Sequence, residues 1–308
     1  MEEPGFRDRA DSEAPALARF GTVAIIGVGL MGGSLGMALS RRGLASRVLG
    51  CDHDPSSLQA AVRRGAVDEG RPLEAAVSAA DLVVLAVPVP ALPRLFGLIG
   101  PHLKEGAVVT DLGSVKRPVL EAAQALPYPE QFVGGHPLAG RERAGVAAAD
   151  GDLFLGRAWA VVPGPSSRPD AVEMVAHLAQ AVGADPVLLG PDEHDCLAAE
   201  ISHLPQLAAY ALAAAVARGA SGTAAAGRGL NMARRLAGPG LHDTTRLAAS
   251  PAGLWRDLAL ANRDHLVEGL KRLQSELAEV SRALEAGDGE ALEGLFQQAQ
   301  AARLALFP

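Results

Sequence analysis

A run of apolar β-formers, Gly21-Thr22-Val23-Ala24-Ile25-Ile26, passes without a break into Gly27-Val28-Gly29-Leu30-Met31-Gly32-Gly33-Ser34. A strand with no polar alternation is one buried on both faces, and its parallel neighbour can be reached only through a crossover, usually a helix. The chain supplies that helix over roughly Leu30 to Arg42 and stops it at Gly43. A second strand, Arg47-Val48-Leu49-Gly50-Cys51-Asp52, then ends in an acid 20 residues after Gly32. Each part has a mechanical use. Gly27 permits the tight turn, Gly29 lets the backbone approach a pyrophosphate, and Gly32 lets helix and strand pack closely. The phosphates meet the positive end of the helix dipole, where Leu30 and Met31 begin the helix, and Asp52 can bond the adenine ribose hydroxyls. Three glycines at this spacing are weak evidence alone. With strand, helix and acid in place they predict a dinucleotide site. A carboxylate at the ribose repels a 2′-phosphate, so NAD is favoured over NADP. His53 is a poor phosphate clamp, and the nearest arginine beyond it is Arg63.

The βαβ rhythm continues. Asp81-Leu82-Val83-Val84-Leu85-Ala86-Val87-Pro88 is another buried strand, and Ala107-Val108-Val109-Thr110-Asp111 is the next, leading into Leu112-Gly113-Ser114-Val115-Lys116. Loops after the carboxyl ends of parallel strands line the binding crevice, which puts Val87, Pro88 and Ser114 near the cofactor. Ser114 has a second use as the N-cap of a helix starting at Val115. Phe132-Val133-Gly134-Gly135 is a further strand, and it delivers His136, followed by Pro137, to the same edge. Histidine titrates near neutral pH, which suits a group at the floor of a cleft; a solvated turn histidine is the bland alternative. Trp159 to Pro163 and Pro186 to Gly190, flanking a helix near 170–182, finish the sheet.

From about Pro191 the strand signals stop. Asp192 can cap a helix running into Ile201-Ser202-His203-Leu204-Pro205-Gln206, where Pro205 removes a helix hydrogen bond and should kink it beside His203. Ser250-Pro251-Ala252-Gly253-Leu254-Trp255 is a helix start with proline at the first position. Leu266, Leu270, Leu273, Leu277, Val280 and Leu284 recur at spacings of four and three. That is a heptad seam, usable as intramolecular bundle core or between two copies; a homodimer is expected, because so many helices in so short a domain need a partner surface. The fold class is therefore α/β: a Rossmann-like, doubly wound, mainly parallel sheet over residues 20–190, followed by an all-α C-terminal domain over 191–308. A disordered tail of residues 1–19 precedes them.

Composition removes other classes. With 49% apolar and 20% charged residues the chain reads as a globular protein with room for two domains. Net charge is −7 and aromatics are 4%, so neither nucleic acid nor an anionic membrane is an expected partner. The longest apolar stretch, Leu207 to Ala217, is too short to cross a bilayer. Cys51 and Cys196 show no metal spacing and read as reduced thiols in a cytoplasmic protein. The first 19 residues are acidic and carry no apolar core, unlike a signal or transit peptide.

Assembled in order, several segments resemble the prephenate and arogenate dehydrogenase family of tyrosine biosynthesis. They are Gly27 to Ser34, Asp111-Leu112-Gly113-Ser114-Val115-Lys116, Gly134-Gly135-His136-Pro137 with Ala139-Gly140, Ser202-His203-Leu204-Pro205, Asp243-Thr244-Thr245-Arg246 and Leu254-Trp255-Arg256-Asp257. Without that resemblance the residues lead only to an NAD-dependent dehydrogenase of a small acid. The resemblance implies an NAD-dependent oxidoreductase that oxidatively decarboxylates a ring bearing a hydroxyl at one end and a quaternary carboxylate at the other. It implies that His136 bonds the ring hydroxyl and that Ser114 touches both that hydroxyl and the nicotinamide. Arg246 is then the carboxylate clamp, suited by a fork that binds bidentately and stays charged. His203 and Gln206 stand at substrate-binding positions. Glu142 and Asp243 match acids of an ionic network at the mouth, or are ordinary solvated acids. Trp255 is expected to pack the helical core. His194-Asp195 also fits the family pattern, although a helix start accounts for it.

The chain departs from the pattern at Gln206, where many members have a second histidine, and at Arg141, where a small residue is expected and a cation near the entrance results. No room remains after Pro308 for a regulatory domain, so tyrosine competing directly in the active site is the expected feedback. Prephenate, giving 4-hydroxyphenylpyruvate, is the expected substrate; arogenate, or both rings in a cyclohexadienyl dehydrogenase, is the alternative. A β-hydroxyacid dehydrogenase would centre on a lysine in the helical half, and no motif surrounds Lys271, the only one there. A dinucleotide sensor without turnover would not need His136.

Overall fold

The computed structural model describes residues 20–141, 143–222 and 228–307. The expected tail and the expected site acid Glu142 lie outside the described residues. The chain divides into two compact units, one up to His194 and one from Asp195.

The first unit alternates strand and helix. Its elements are β1 Phe20–Ile26, α1 Leu30–Arg41, β2 Ala45–Cys51, α2 Pro55–Arg63, β3 Glu69–Gly70, α3 Leu73–Ala79, β4 Leu82–Leu85 and α4 Leu92–Ile99. They continue with β5 Val108–Asp111, α5 Arg117–Ala123, β6 Phe132–Pro137, β7 Ala158–Pro163, α6 Pro169–Ala181, β8 Asp185–Leu188 and α7 Pro191–Ala198, whose last residues enter the second unit. The eight strands form one sheet in the order β3-β2-β1-β4-β5-β6-β7-β8. All neighbours pair parallel except β6 and β7. The chain winds outward in both directions from β1 and β4, so the crevice at their carboxyl ends is the switch point where such sheets bind ligands.

Unalternating strands are buried as expected: Val23, Ala24, Ile25, Leu82, Val83, Val84 and Val109 have no exposed surface. Helix α1 closes at Gly43, which adopts φ +61°, a conformation that favours glycine. The two-residue β3 has no apolar signal and is not visible in the sequence; it pairs Glu69 and Gly70 with Leu49 and Gly50. Two helix starts differ from expectation. Helix α7 begins at Pro191, one residue before the expected cap Asp192, and Asp192 instead pairs with Arg117 at 3.2 Å. Helix α5 begins at Arg117 with Lys116 as N-cap, so Ser114 is not the cap.

The second unit is helical. A π-turn, Ala199–His203, leads into α8 Leu204–Gly222, followed by α9 Arg228–Leu236, α10 Pro239–Thr245, a 3-10 turn Arg246–Ala249, α11 Ala252–Ala261, α12 Arg263–Ala286 and α13 Gly289–Leu306. A π-turn stands at the position of the expected kink. Pro205 has no N–H to give to the carbonyl of Ile201, and the helix widens just before it. All six heptad residues fall on α12, where Leu266 is buried while Leu277 and Leu284 are 58% and 62% exposed. Helix α13 buries no residue at all and exposes Phe296 and Leu304. Among the described residues no helix is long and apolar enough to cross a membrane.

Candidate active site

The glycine turn sits at the switch point. Gly27 has φ +94°, and a Cβ there would lie 2.5 Å from the Ala86 carbonyl oxygen. A Cβ on Gly32 would lie 2.0 Å from the Gly27 oxygen, so this glycine sets how closely α1 approaches its own strand. Gly29 differs: a Cβ there meets nothing within 4 Å. It is also the N-cap of α1, whose first N–H groups receive no side-chain cap and no acid in the first turn. Open space in front of uncapped N–H groups is what an anionic group needs. Leu30 and Met31 follow, half-buried against the core. Val87, after β4, stands beside Gly27, and Pro88 is exposed next to it.

Asp52 lies at the end of β2 with its side chain only 9% exposed. One carboxylate oxygen accepts the Val28 N–H at 2.9 Å, and the other accepts the Asp54 N–H at 3.0 Å. The acid therefore holds the glycine turn. These residues fit a dinucleotide: a cradle without side chains, free N–H groups at a helix start, and a carboxylate beside them. Cys51, next to Asp52, is a free thiol whose pKa is pushed up by burial and then by the Asp52 and Glu74 carboxylates, which keeps it protonated and unreactive.

A second cluster lies two strands away. Asp111 ends β5 and Lys116 precedes α5; they form an ion pair in which both side chains are wholly buried. The pair is fully bonded. Asp111 accepts the N–H groups of Gly113 at 2.8 Å and Gly135 at 3.2 Å, and the Lys116 ammonium donates to the Gly135 carbonyl at 3.0 Å. Burying two charges is tolerable only with such satisfaction. Gly135 is fixed by two of these contacts, and His136 is the next residue. Its ring is 9% exposed, and Nδ1 lies 2.8 Å from Nε2 of His194, itself 3% exposed. The rings meet edge to face with centroids 5.1 Å apart. Ser114, half-buried, occupies the bend between Asp111 and Lys116, with no capping duty.

The remaining expected residues belong to the helical unit. His203 closes the π-turn and is 1% exposed. The Asn262 side chain lies 3.3 Å from its Nδ1 and also donates to the Asp195 carbonyl at 2.8 Å. Trp255 packs edge to face on the His203 ring, as its expected packing role requires. Gln206 is 2% exposed, and its amide donates to the Leu247 carbonyl at 2.6 Å. That contact ties Gln206, which the sequence placed at a substrate-binding position, to the turn that carries Arg246. Tyr210 adds a second tie from α8, donating to the Ser250 carbonyl at 2.8 Å. Arg246 opens the turn with an exposed side chain. Asp243 is exposed and faces its neighbour His242 at 3.1 Å. Arg141, expected as an entrance cation, pairs with Asp150 at 2.5 Å; the Asp152 N–H and then this guanidinium hold the Asp150 carboxyl below its usual range.

His194 is the residue that sequence reasoning undervalued. A signal was available in the His194-Asp195 pair, which a helix start seemed to account for; its ring meets His136 at 2.8 Å. Asn262 and the Lys116–Asp111 pairing carried no comparable signal.

Two family models match. Residues 35–188 match the model described as prephenate dehydrogenase, nucleotide-binding domain, and residues 190–298 match prephenate dehydrogenase, dimerization domain. The chain is 32% identical to a prephenate dehydrogenase of Bacillus subtilis (strain 168), over 91% of this chain and 74% of that protein. A solved prephenate dehydrogenase from A. aeolicus, in complex with hydroxyphenyl propionate and NAD+, superposes with a TM-score of 0.84 at 29% identity, covering 92% of this chain and 98% of that one. The structure of Synechocystis arogenate dehydrogenase follows at TM-score 0.78 and 29% identity, covering 92% and 99%. The chain belongs to the prephenate dehydrogenase family.

Proposed function

We propose that this protein is an NAD-dependent prephenate dehydrogenase that converts prephenate to 4-hydroxyphenylpyruvate and carbon dioxide. The observation that carries the reading is the placement of His136. It is a nearly buried imidazole at the carboxyl end of β6, with its backbone anchored through Gly135 and its Nδ1 engaged by His194. Nε2, the nitrogen on the opposite side of the ring, is the one assigned to the reacting hydroxyl.

NAD, when bound, accepts the hydride leaving the hydroxyl-bearing ring carbon. His136 Nε2 takes the hydroxyl proton as the C–O bond gains carbonyl character, a general-base contribution of roughly two to four orders of magnitude. The bond to the quaternary carboxylate breaks, its electron pair enters the ring, and carbon dioxide leaves. His136 returns its proton to the phenolate oxygen, so the imidazole ends the cycle neutral and no net proton is released. Ser114, in its bend beside β5, is the hydroxyl that steadies the same oxygen. Arg246 binds a substrate carboxylate, and His203, held by Asn262 and Trp255, provides a further substrate-side contact. Asp52 disfavours a 2′-phosphate at the ribose. Aromatisation supplies the driving force, so binding and orientation are the protein's main tasks.

Arogenate differs from prephenate at one side-chain carbon, and the likeness to an arogenate dehydrogenase structure supports it as the alternative substrate. The exposed leucines of α12 and α13 support a homodimer as the working form, since apolar surface on this scale calls for a partner. Asp243, and Glu142 with it, belong to the ionic surroundings of the mouth. Tyrosine shares the product's ring and is the expected competitor for the site, and the reduced thiols fit a cytoplasmic enzyme.

The test is NADH formation by the purified protein given prephenate and arogenate separately, with NAD and then with NADP. Turnover of prephenate with NAD is expected. Turnover of arogenate alone would transfer the function to the alternative, and silence on both would overturn the reading.

A further inference from the structure

A cleft of about 590 Å³ in the first unit has arginine on every side. Arg41 enters it from the last turn of α1, and Arg64 from the end of α2. Arg141, Arg143 and Asp150 enter from the loop between β6 and β7, with the alanine stretch 147–149 beside them. The cleft is not the dinucleotide crevice. The whole of α1, 12 residues and about 18 Å, separates Arg41 from Gly29. Helix α2, nine residues and about 13 Å, likewise stands between Arg64 and Asp52. A cation at a helix C-terminus is ordinary, because the dipole favours it, and that accounts for Arg41 and Arg64 taken singly. It does not account for Arg141 and Arg143, which come from a loop and line the same cleft. Asp150 offsets one charge of the four. One of its oxygens takes the Arg141 guanidinium, and the other takes the Asp152 N–H at 3.1 Å. Arg64 gives one N–H to the Ala149 carbonyl at 3.1 Å, which leaves its charge uncancelled. Among the described residues, neither Arg64 nor Arg143 pairs with an acid.

We infer that this cleft binds a small, multiply charged oxyanion, a phosphate ester or a polycarboxylate, at a site separate from the dinucleotide crevice. The wall that carries the loop arginines is built and fastened. The Asp150 N–H donates to Oγ of Ser34, which is wholly buried in α1, at 2.9 Å. Arg64 ties down the preceding carbonyl. A Cβ on Gly33 would lie 3.1 Å from the Ala149 Cβ and 3.2 Å from the Val146 side chain, so glycine there lets the loop close on α1. The cleft is thus held in shape before any ligand arrives, which lowers the ordering cost of binding. Gathering four guanidinium groups costs mutual repulsion, in a chain whose net charge is −7, and a bound anion relieves it. Their forks match carboxylate and phosphate alike in bidentate geometry. The volume is that of a small-molecule site. No aromatic ring is among the described lining residues, so a nucleobase would find no stacking surface, and recognition runs through charge.

The test is calorimetric titration of the purified full chain, saturated with NAD so that the start of α1 is already occupied. The probes are pyrophosphate and citrate, with sodium chloride at matched ionic strength as the control. Saturable binding of at least one probe is expected, with a Kd below about 1 mM. Arg64→Gln and Arg143→Gln should each weaken it about tenfold, and the double variant more, because each removes a charged donor. NADH affinity followed by fluorescence should stay within about twofold. Glutamine at position 64 keeps an N–H for the Ala149 carbonyl, and Arg143 is exposed, so both variants should fold, as circular dichroism would report. Arg143→Lys keeps the charge without the fork and should lose less than Arg143→Gln. Binding of pyrophosphate alone would assign phosphate esters, and of citrate alone polycarboxylates. No saturable binding beyond the chloride control, or an unmoved affinity in the double variant, would overturn the inference. Binding seen only in the absence of NAD would overturn it too, since the anion would then be in the dinucleotide crevice. None of these results depends on which ring the protein turns over.

Discussion

The Lys116 ammonium donates to the Gly135 carbonyl at 3.0 Å from a position with no solvent exposure, one residue before His136. The same ammonium neutralises Asp111, whose carboxylate takes the Gly135 N–H. The backbone behind the proposed base is thus clamped from both sides by one ion pair. Lys116→Met would leave Asp111 charged and unpaired in the interior, at a cost of about 3–5 kcal/mol. A lower denaturation midpoint is expected together with lost turnover. The double variant Asp111→Asn with Lys116→Met should recover part of the stability but not the turnover; an unaltered midpoint in the single variant would count against the clamp.

The glycines of the turn should separate by role. Gly29→Ala adds a methyl group to open space, so the protein should fold normally, as circular dichroism would report, yet bind NADH more weakly by fluorescence titration. Gly32→Ala forces a carbon to within 2.0 Å of the Gly27 oxygen and should destabilise the fold itself. Equal behaviour of the two variants would contradict the assignment.

Asp52 accepts the Val28 N–H at 2.9 Å in addition to its proposed duty at the ribose, and the two can be separated. Asp52→Asn keeps an acceptor for the turn while removing the charge. It should narrow the preference for NAD over NADP, measured as a ratio of kcat/KM, with little change in thermal stability. Asp52→Ala should lose both.

Arg246 and Gln206 form a dependent pair. Arg246→Ala removes a charged hydrogen-bond donor and should raise KM for prephenate about ten- to hundredfold. Gln206→Leu cannot bond the Leu247 carbonyl and should produce a smaller rise of the same kind, with NAD affinity unchanged. Steady-state kinetics with saturating NAD would measure both, and an unchanged KM in Arg246→Ala would remove its role as clamp.

Asp54 caps α2, and hydrogen bonds from the Ser57 and Ser56 hydroxyls and from the Ser56 N–H lower its carboxyl from 3.8 to about 2. The ionised form is the one favoured on folding, so the cap's contribution is complete above the ordinary value of 3.8 and is lost as pH falls through about 2. Asp54→Ala should therefore lower the denaturation midpoint at neutral pH, and the difference from the parent protein should shrink toward pH 2.

How much of this was legible in the sequence differs by element. The strands β1, β4 and β5 announce themselves as unbroken apolar runs because both their faces are covered, and the glycine turn is legible because its spacing is dictated by sterics. The short β3 was not, since two residues of pairing need no apolar pattern. Ser114 looked like a cap because serine before a helix usually is one; the buried Lys116 takes that position because Asp111 holds it there. Gln206 read as a polar group at a substrate position, and its carbonyl partner, 41 residues further along the chain, could not be inferred from spacing. His136 was found by its neighbours in the chain, whereas His194 was obscured because its partner is 58 residues away.

The π-turn at Ala199–His203 gives the helical unit a dependence on chain length and not only on residue type. An ordinary helix advances about 100° per residue, and a π-turn is in effect one residue more than that geometry can hold. The wide turn absorbs that residue locally, so the helix before it and the helix after it keep the faces of an unbroken helix. Losing any single residue from the turn would close it to regular geometry and remove the widening that ends at His203, although no side chain of the cluster with Asn262 and Trp255 had changed.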